Sequence, residues 1–253
     1  MIVLGGPYDA VLAFILGVAF GSFASVLGHR LPLGHGIFGR RSACPQCGAT
    51  LAARDLVPLL SWLALRARCR HCDRPIGVRY PLIELATGLA FMAAWLATGF
   101  GPDFPILAAL IVVLVVMTVI DIDFGILPDP LQLAAVVLAP GWWLTQDDFA
   151  AAALSGTVAG MLLAALGYTL RWTALRLMHR EALGLGDVKL LGVAGLWLGL
   201  APIPTFLVAA GFLGVVMAFI WRTTGRGAAF PFGPALTLAL FACLVLPGPV
   251  SAG

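Results

Sequence analysis

Two acidic sites beside apolar segments are the first candidates for chemistry in this sequence. A Gly-Leu-Gly-Asp motif ends at Asp187, and an apolar run follows it as far as Leu200. The other acidic cluster beside a long apolar run contains Asp121 and Asp123. A charged group at such a position is costly in a lipid bilayer and usually serves a function. We therefore predict that Asp187 and one of these two acids face each other as a catalytic pair.

A purely structural role is the alternative for three acids of these regions, Asp123, Asp129 and Asp187. Asp123 and Asp129 lie around two prolines in a pattern typical of a helix-ending turn, where aspartate is a common turn former. Asp187 follows two glycines and suits the N-cap of a helix. A function is favoured at Asp187, because a cap alone does not require two flexible glycines at membrane depth.

The composition excludes an ordinary soluble domain. Of the 253 residues, 61% are hydrophobic and 11% are charged, which is typical of a protein with several membrane spans. The formal net charge is only +3, and the position of the basic residues is more informative than their sum. We expect a lipid bilayer as the environment and no nucleic-acid partner.

Eight apolar runs approach the length of about 20 residues with which a helix crosses the hydrocarbon core. They predict an all-α polytopic membrane protein with about eight transmembrane helices. The runs are at 10–28, 81–98, 104–121, 127–145, 149–170, 185–200, 203–221 and 231–247.

Basic residues occupy alternate loops between these runs. They concentrate at 30–79, at 171–189 and at 222–226. Since lysine and arginine are retained in the cytoplasm, those loops are predicted to be cytoplasmic and both termini to be outside. The third run then ends at Asp121 and the sixth begins at Asp187 on the same, cytoplasmic face.

Two Cys-x-x-Cys pairs indicate a metal site in the first cytoplasmic loop. Cys44 and Cys47 form one pair, Cys69 and Cys72 form the other, and 21 residues separate the pairs. Two such turns can close a tetrahedral shell of four thiolates around a structural Zn²⁺ ion. Two disulfides are the alternative, but they require oxidising conditions that the cytoplasm does not provide. The remaining Cys243 is expected to be a small buried apolar residue.

Three further features each have two interpretations. The segment 56–70, which is apolar and then arginine-rich, suits either a helix on the membrane surface or a packed core helix. Glu84 either contacts a substrate or lies at the membrane interface. Lys189 either binds phospholipid headgroups or an acidic group of a substrate, or is by default an interfacial lysine that extends toward water.

An ordered set of motifs along nearly the whole chain resembles one family. The set resembles the bacterial prepilin peptidases, which are type IV leader peptidases of the GxGD class of membrane aspartic proteases. The motifs are Gly21-Ser22-Phe23, Arg30-Leu31-Pro32, Arg41-Ser42, the two Cys-x-x-Cys pairs, the segment 58–63, Arg79-Tyr80-Pro81 with Glu84, the segment 121–129, the segment 184–190 and Pro231-Phe232-Gly233-Pro234.

The resemblance implies an aspartic endopeptidase of the bacterial inner membrane. It would remove the leader of type IV prepilins or of secretion-system pseudopilins at the cytoplasmic face, just after a glycine. The two catalytic aspartates of the family fall on Asp121 and Asp187. Many members also methylate the new N-terminus with S-adenosylmethionine, for which no binding residues can be assigned. The implied divisions are a first transmembrane helix at 1–28, a zinc-binding module at 29–80 and a peptidase domain of about seven helices at 81–253.

The chain departs from the family pattern in its first segment. Family members usually have Leu-Asn where this chain has Ala24 and Ser25, and a tyrosine where it has His29. This segment bears on methyl transfer, so the expectation of a second activity is the weaker of the two.

Other functions fit parts of the same sequence. A transporter could use Asp121 and Asp187 as ion ligands or as a proton relay, although no internal repeat of the kind many transporters have is visible. Methyl transfer as the main activity lacks a Gly-x-Gly-x-x-Gly cofactor loop. A non-catalytic assembly protein could use zinc to organise a docking surface.

Overall fold

The computed structural model of the chain describes residues 6–34, 41–179, 181, 183–225 and 230–246. Most of these residues are helical, and they form nine α-helices. In chain order the helices are α1 Pro7–Arg30, α2 Leu60–Ala64, α3 Arg79–Thr98, α4 Asp103–Phe124, α5 Asp129–Leu144, α6 Phe149–Met178, α7 Leu185–Leu198, α8 Ile203–Thr223 and α9 Gly233–Val245.

The first of two compact units, Met1–Phe100, is held together by the contact between α1 and α3. Gly17 and Gly21 lie one helical turn apart on α1 and have no side chain to separate the helices. A Cβ atom at Gly17 would lie 2.6 Å from the carbonyl oxygen of Thr87, and one at Gly21 would lie 2.8 Å from the Cα of Glu84. Small residues at this spacing let membrane helices approach closely, where dispersion forces replace the hydrophobic effect.

Between α1 and α3 the chain forms a small module with little regular structure. It contains a 3₁₀ turn at Ala53–Leu56 and the short helix α2. Two turns are each closed by a single β-bridge, one between Ala43 and Thr50 and one between Arg68 and Pro75. No longer strand occurs in the residues that the structure describes.

The second unit, Gly101–Gly253, has α4 as its most buried membrane-length helix. Leu110, Val116, Met117 and Ile120 of α4 are inaccessible to solvent. The helix contacts α5 and α9, and Thr118 shares a 2.8 Å hydroxyl hydrogen bond with Thr237 of α9. A helix that is apolar on all sides is expected where other helices surround it.

The helices α6 and α7 cross closely in the second unit. A Cβ atom at Gly195 would lie 2.5 Å from the backbone of Ala159, and one at Gly156 would lie 2.6 Å from the carbonyl oxygen of Leu196. The two backbones are therefore in contact along this face, which only glycine permits.

Two tryptophans tie α5 to α7 through backbone carbonyls. The Nε1–H of Trp197 donates to the carbonyl oxygen of Ala135 at 2.9 Å, and the Nε1–H of Trp143 donates to that of Leu196 at 2.9 Å. A buried indole N–H requires such an acceptor. These bonds fix the position of α7, whose first turn contains Asp187.

The prediction of an all-α polytopic membrane protein is confirmed. All eight predicted apolar runs are helical, with bounds that differ by a few residues except at α6, which extends to Met178. Within the described residues, five helices are long and apolar enough to cross a membrane. With 14 and 13 residues, α7 and α9 are only about 20 Å long, against roughly 30 Å of hydrocarbon. The count of eight spans remains a prediction.

The predicted divisions at residues 28 and 80 also remain predictions. The two compact units divide between Phe100 and Gly101. The helix α3, which the sequence assigned to the peptidase domain, packs on α1 because their glycines and threonine interlock. Arg180 and Arg226, which contributed to the predicted orientation, lie outside the described residues.

We predict that Gly195→Ala destabilises the second unit. The new methyl group would force α6 and α7 apart, and overpacking of this kind costs about 1–3 kcal/mol, or roughly 3–10 °C in melting temperature. Thermal unfolding of the detergent-solubilised protein measures the change. Gly211→Ala in α8 is the matched control, since nothing lies within 4 Å of the position that its methyl group would take. Equal stability of the two variants would contradict the role of the glycine contact.

Candidate active site and metal centre

Asp121 lies in the last turn of α4 and is 6% exposed. The helix ends here because Gly125 adopts a left-handed conformation, with φ of 65°, and its N–H donates to the carbonyl oxygen of Asp121 at 2.9 Å. Pro128 follows and is the N-cap residue of α5. A proline is common shortly after the end of a helix, because it cannot continue that helix. The aspartate is thus fixed just before the end of the most buried membrane-length helix.

The carboxylate of Asp121 is held by the beginning of α9. Its Oδ2 accepts the N–H of Gly233 at 2.9 Å. A Cβ atom at Gly233 would lie 2.6 Å from that oxygen, so a larger residue would push the two groups apart. The first N–H groups of a helix have no partner within the helix, and here one of them serves the buried acid.

Asp187 lies in the first turn of α7. Its Oδ2 accepts the N–H of Gly184 at 3.2 Å, as in a helix-capping arrangement. The backbone of Gly184 is extended, with φ of −65°, so no left-handed conformation requires a glycine there. The prediction that Asp187 is the N-cap is wrong, because Gly184 is the N-cap and Asp187 bonds its N–H from the first turn of α7. This bond does not exclude a catalytic role.

Leu127 connects the segments that hold the two aspartates. A Cβ atom at Gly186 would lie 3.0 Å from Leu127 Cβ, and one at Gly233 would lie 3.1 Å from Leu127 Cδ2. Asp121 and Asp187, which are 66 residues apart in the sequence, therefore belong to one site in the second unit.

The other acids of this region are oriented differently. Asp123 is exposed and lies in the last turn of α4, before the turn in which the sequence analysis placed it. Asp129 forms an ion pair with Lys189, with 2.6 Å between Oδ1 and Nζ, and both side chains are substantially exposed. Exposed pairs contribute little to stability. Lys189 thus binds an acidic group of its own chain, a partner that the sequence did not indicate.

Gln132 is a buried residue of this region that the sequence analysis missed. It is 4% exposed and lies in the first turns of α5. Its Nε2 donates to the carbonyl oxygen of Gly186 at 3.2 Å, directly before Asp187 in the chain. The sequence signal is a glutamine three residues after Asp129, at the start of an apolar run, where a polar side chain is costly in a membrane unless it is bonded.

The four predicted metal ligands come together in the first unit. The Sγ atoms of Cys44, Cys47, Cys69 and Cys72 all lie within 4.8 Å of one another, and those of Cys44 and Cys72 are 4.0 Å apart. All four are free thiols. Four sulfurs around one Zn²⁺ ion at about 2.3 Å would be roughly 3.8 Å apart. The cluster therefore fits a tetrahedral metal ion and not two disulfides.

The two cysteine turns have the same backbone design. The N–H of Cys44 donates to the carbonyl oxygen of Ala49, and the N–H of Cys69 donates to that of Arg74, both at 2.9 Å. Each turn needs a left-handed residue four positions after its first cysteine. Gly48 takes that place with φ of 72°, and Asp73 takes it with φ of 57°.

Backbone N–H groups favour the anionic form of two of these sulfurs. The N–H groups of Cys47 and Gln46 lower the pKa of the Cys44 thiol from 9.0 to about 6. Those of His71 and Cys72 lower the pKa of the Cys69 thiol. Clustered thiolates require a cation. His71 contributes its backbone, and its exposed side chain is no part of the sulfur cluster.

A cavity of about 400 Å³ lies in the first unit beside the cysteine turns. Its wall includes Ser25 and His29 of α1, the aromatic residues Trp62 and Tyr80, and Glu84 of α3. Of the departures from the family pattern, Ser25 and His29 thus line this cavity. The hydroxyl of Ser25 donates to the carbonyl oxygen of Gly21 at 3.1 Å.

Glu84 has a structural partner in this cavity. It is 8% exposed, and its Oε2 accepts the N–H of Leu59 at 2.8 Å. Leu59 has a φ of 60°, a conformation that costs a side chain about 1–3 kcal/mol and needs external support. Glu84 therefore holds the strained turn before α2, which neither interpretation from the sequence anticipated.

Family comparisons agree with both parts of this description. Residues 15–98 match the Bacterial Peptidase A24 N-terminal domain, and residues 108–219 match the Type IV leader peptidase family. The chain belongs to the type IV leader peptidase family. No solved structure matches the chain significantly.

Curated relatives agree over most of the chain. A Myxococcus xanthus protein named Prepilin leader peptidase/N-methyltransferase is 42% identical over 87% of this chain. One of the same name from Burkholderia pseudomallei is 38% identical over 91% of this chain and 84% of the relative. An Escherichia coli Type 4 prepilin-like proteins leader peptide-processing enzyme is 37% identical over 93% of each. The chain spans 66% of the length of the Myxococcus relative. None of these names supports the transporter interpretation.

We predict that the purified protein contains about one equivalent of a divalent metal ion, because four clustered thiols form a closed ligand set. Elemental analysis measures it. Cys69→Ser should reduce the metal content to less than about a tenth, since a structural site loses most of its affinity with one thiolate. Cys243→Ser is the matched control, because Cys243 lies in α9 outside the cluster, and it should retain the metal. Metal retained in both variants would exclude the cluster as the site.

Proposed function

We propose that this chain is an aspartic endopeptidase of the bacterial inner membrane that removes the leader of type IV prepilins or pseudopilins after a glycine. The observation that carries the proposal is that Leu127 lies against both Gly186 and Gly233, which brings together the segments that hold Asp187 and Asp121, each bonded to a backbone N–H. The names of the relatives supply the substrate class. The alternate loops rich in basic residues support a cytoplasmic orientation.

Hydrolysis by this pair requires one ionised and one protonated carboxyl group. The ionised group takes a proton from water as it attacks the scissile carbonyl carbon, and the other donates a proton to the carbonyl oxygen. Two carboxylates in one site resist ionising together, so they share a proton near neutrality. The pair then titrates as a unit.

The helix dipoles do not distinguish the two acids. From the sequence, Asp187 was the expected base, because it begins α7 while Asp121 ends α4. However, Asp121 also accepts an N–H from the beginning of α9. Both carboxylates thus lie at the positive end of a helix, and either one can begin the reaction as the base.

The cluster of four cysteines is proposed to hold structural zinc. All four positions around the ion would be filled by Cys44, Cys47, Cys69 and Cys72, so no position would remain for water or substrate. The metal would fold the module that carries the Leu59 turn and one wall of the cavity. Zinc would therefore stabilise one wall of the cavity and would take no part in a reaction there.

The cavity of the first unit is proposed to bind S-adenosylmethionine, which supplies a methyl group to the new N-terminal amine. Its volume of about 400 Å³ suits a ligand of that size. Trp62 and Tyr80 offer aromatic faces to a positively charged sulfonium or to an adenine ring. Glu84 adds an acidic group. In this chain Ser25 replaces the usual asparagine, so any polar contact there is made by a shorter side chain.

We predict that Asp121→Asn and Asp187→Asn each reduce cleavage at least about 1000-fold, because an amide can neither accept the water proton nor donate as an acid. A shift in the mass of a prepilin incubated with the solubilised protein measures cleavage. Asp123→Asn is the matched control, since that side chain is exposed, and should retain most of the rate. Normal turnover in either variant would remove that residue from the mechanism.

We also predict that methyl transfer is separable from cleavage. With labelled S-adenosylmethionine and a substrate whose leader is already removed, Asp187→Asn should retain at least about half of the transfer, because the proposed cofactor cavity belongs to the first unit. Cys69→Ser should lose transfer, because it unfolds the cavity wall. Absence of label in the unmodified protein would leave a peptidase alone. Loss of transfer in Asp187→Asn would contradict separate sites.

A further inference from the structure

An open apolar groove lies among α5, α6 and α7 in the second unit, with a volume of about 460 Å³. Its floor is α7, at Gly192, Val193 and Leu196. Its rims include Leu133 of α5, which is 62% exposed, and Met161 of α6, which is 64% exposed. The groove exists because Gly160 and Gly192 bring α6 and α7 together without side chains to fill it.

The groove runs along the helices, and one end of it is at Lys189, within one helical turn of Asp187. Its residues on α7 extend from Lys189 to Leu196, which is a length of about 10 Å, or two helical turns. Lys189 marks the end of the groove nearest to Asp187, only two residues away in the chain. Asp187 itself lies on another face of α7, and Gln132 links the two regions, because it lines the groove and bonds the carbonyl oxygen of Gly186.

Gln132 lies at the same end of the groove and has an unused acceptor. Its Nε2 donates to the carbonyl oxygens of Leu127 and Gly186, at 3.4 and 3.2 Å, which fixes the orientation of the amide. Within the described part of the chain, its buried Oε1 has no hydrogen-bond partner. A buried acceptor without a donor is destabilising, so an occupant with an N–H would satisfy it.

We propose that this groove binds the apolar segment of the substrate and that Gln132 Oε1 accepts a backbone N–H from it. The inference rests on the proposed peptidase function and specifies where the substrate lies. The first four N–H groups of a helix have no internal partner. A peptide that enters the groove as a helix, with its cleavage site near Asp187, presents such an N–H at Gln132.

A lipid acyl chain is the competing occupant, and it fits less well. It would satisfy the apolar floor, but it has no N–H for the Gln132 acceptor. The exposed rims at Leu133 and Met161 suit either occupant. The acceptor therefore favours a peptide.

Photo-crosslinking tests the occupant. A photoreactive amino acid is placed at Met161 in an Asp121→Asn background, in which the prepilin is not consumed. The matched control is the same label at Phe212 of α8, which is 67% exposed and outside the groove. We expect prepilin adducts from position 161 that exceed those from 212 at least about tenfold. Equal labelling, or lipid adducts alone at 161, overturns the groove as the peptide site.

A substrate with one amide replaced by an ester tests Gln132. Loss of the N–H near the cleavage site should raise KM about fivefold in the unmodified protein, with little change in kcat. In Gln132→Leu the same ester should raise KM no further, because the acceptor is gone. If Gln132 only positions Gly186, its substitution lowers kcat and the ester effect persists, which overturns the contact.

These outcomes separate the groove from the enzyme activity. If the unmodified protein does not cleave the all-amide prepilin, the proposed function fails, and crosslinking at Met161 still reports whether an apolar peptide occupies the groove. If cleavage is normal while crosslinking favours neither position, the groove proposal fails alone.

Discussion

A carboxylate buried among apolar helices must have a hydrogen-bond donor, and this requirement organises the second unit. Asp121 receives its donor from Gly233, which brings the beginning of α9 against the end of α4. Leu127 fills the space beside that contact and reaches Gly186. The loop between α4 and α5 and the start of α7 are therefore positioned by the same arrangement that satisfies one acid.

Local patterns in the sequence predicted a large part of this structure. Apolar runs of membrane length became helices because a backbone in lipid must bond within its own segment. The four cysteines could be predicted as metal ligands because each pair lies within one tight turn. Only the contact between the two turns had to be inferred. Asp121 and Asp187 were likewise expected together once the loop charges gave both the same face.

The contacts that orient the site could not be predicted, because each depends on packing between distant segments. Lys189 pairs with Asp129, which is 60 residues away in the sequence, and Glu84 bonds the backbone N–H of Leu59, which is 25 residues away. The approach of α9 to Asp121, which bears on the choice of the base, was unpredictable for the same reason, and Asp187 as the base remains a prediction. The spacing of glycines along α1 and α6 can be read from the sequence, but the residues that these glycines contact cannot.

If α7 and α9 cross the membrane, as the sequence predicts, their short length implies a hydrophobic mismatch at the proposed active site. Helices about 10 Å shorter than the hydrocarbon core are accommodated when the bilayer thins around them. Thinning would bring interfacial water to the depth of the aspartates, and hydrolysis consumes water. Acyl-chain length in the surrounding membrane thus becomes a determinant of turnover, in addition to the residues of the protein itself.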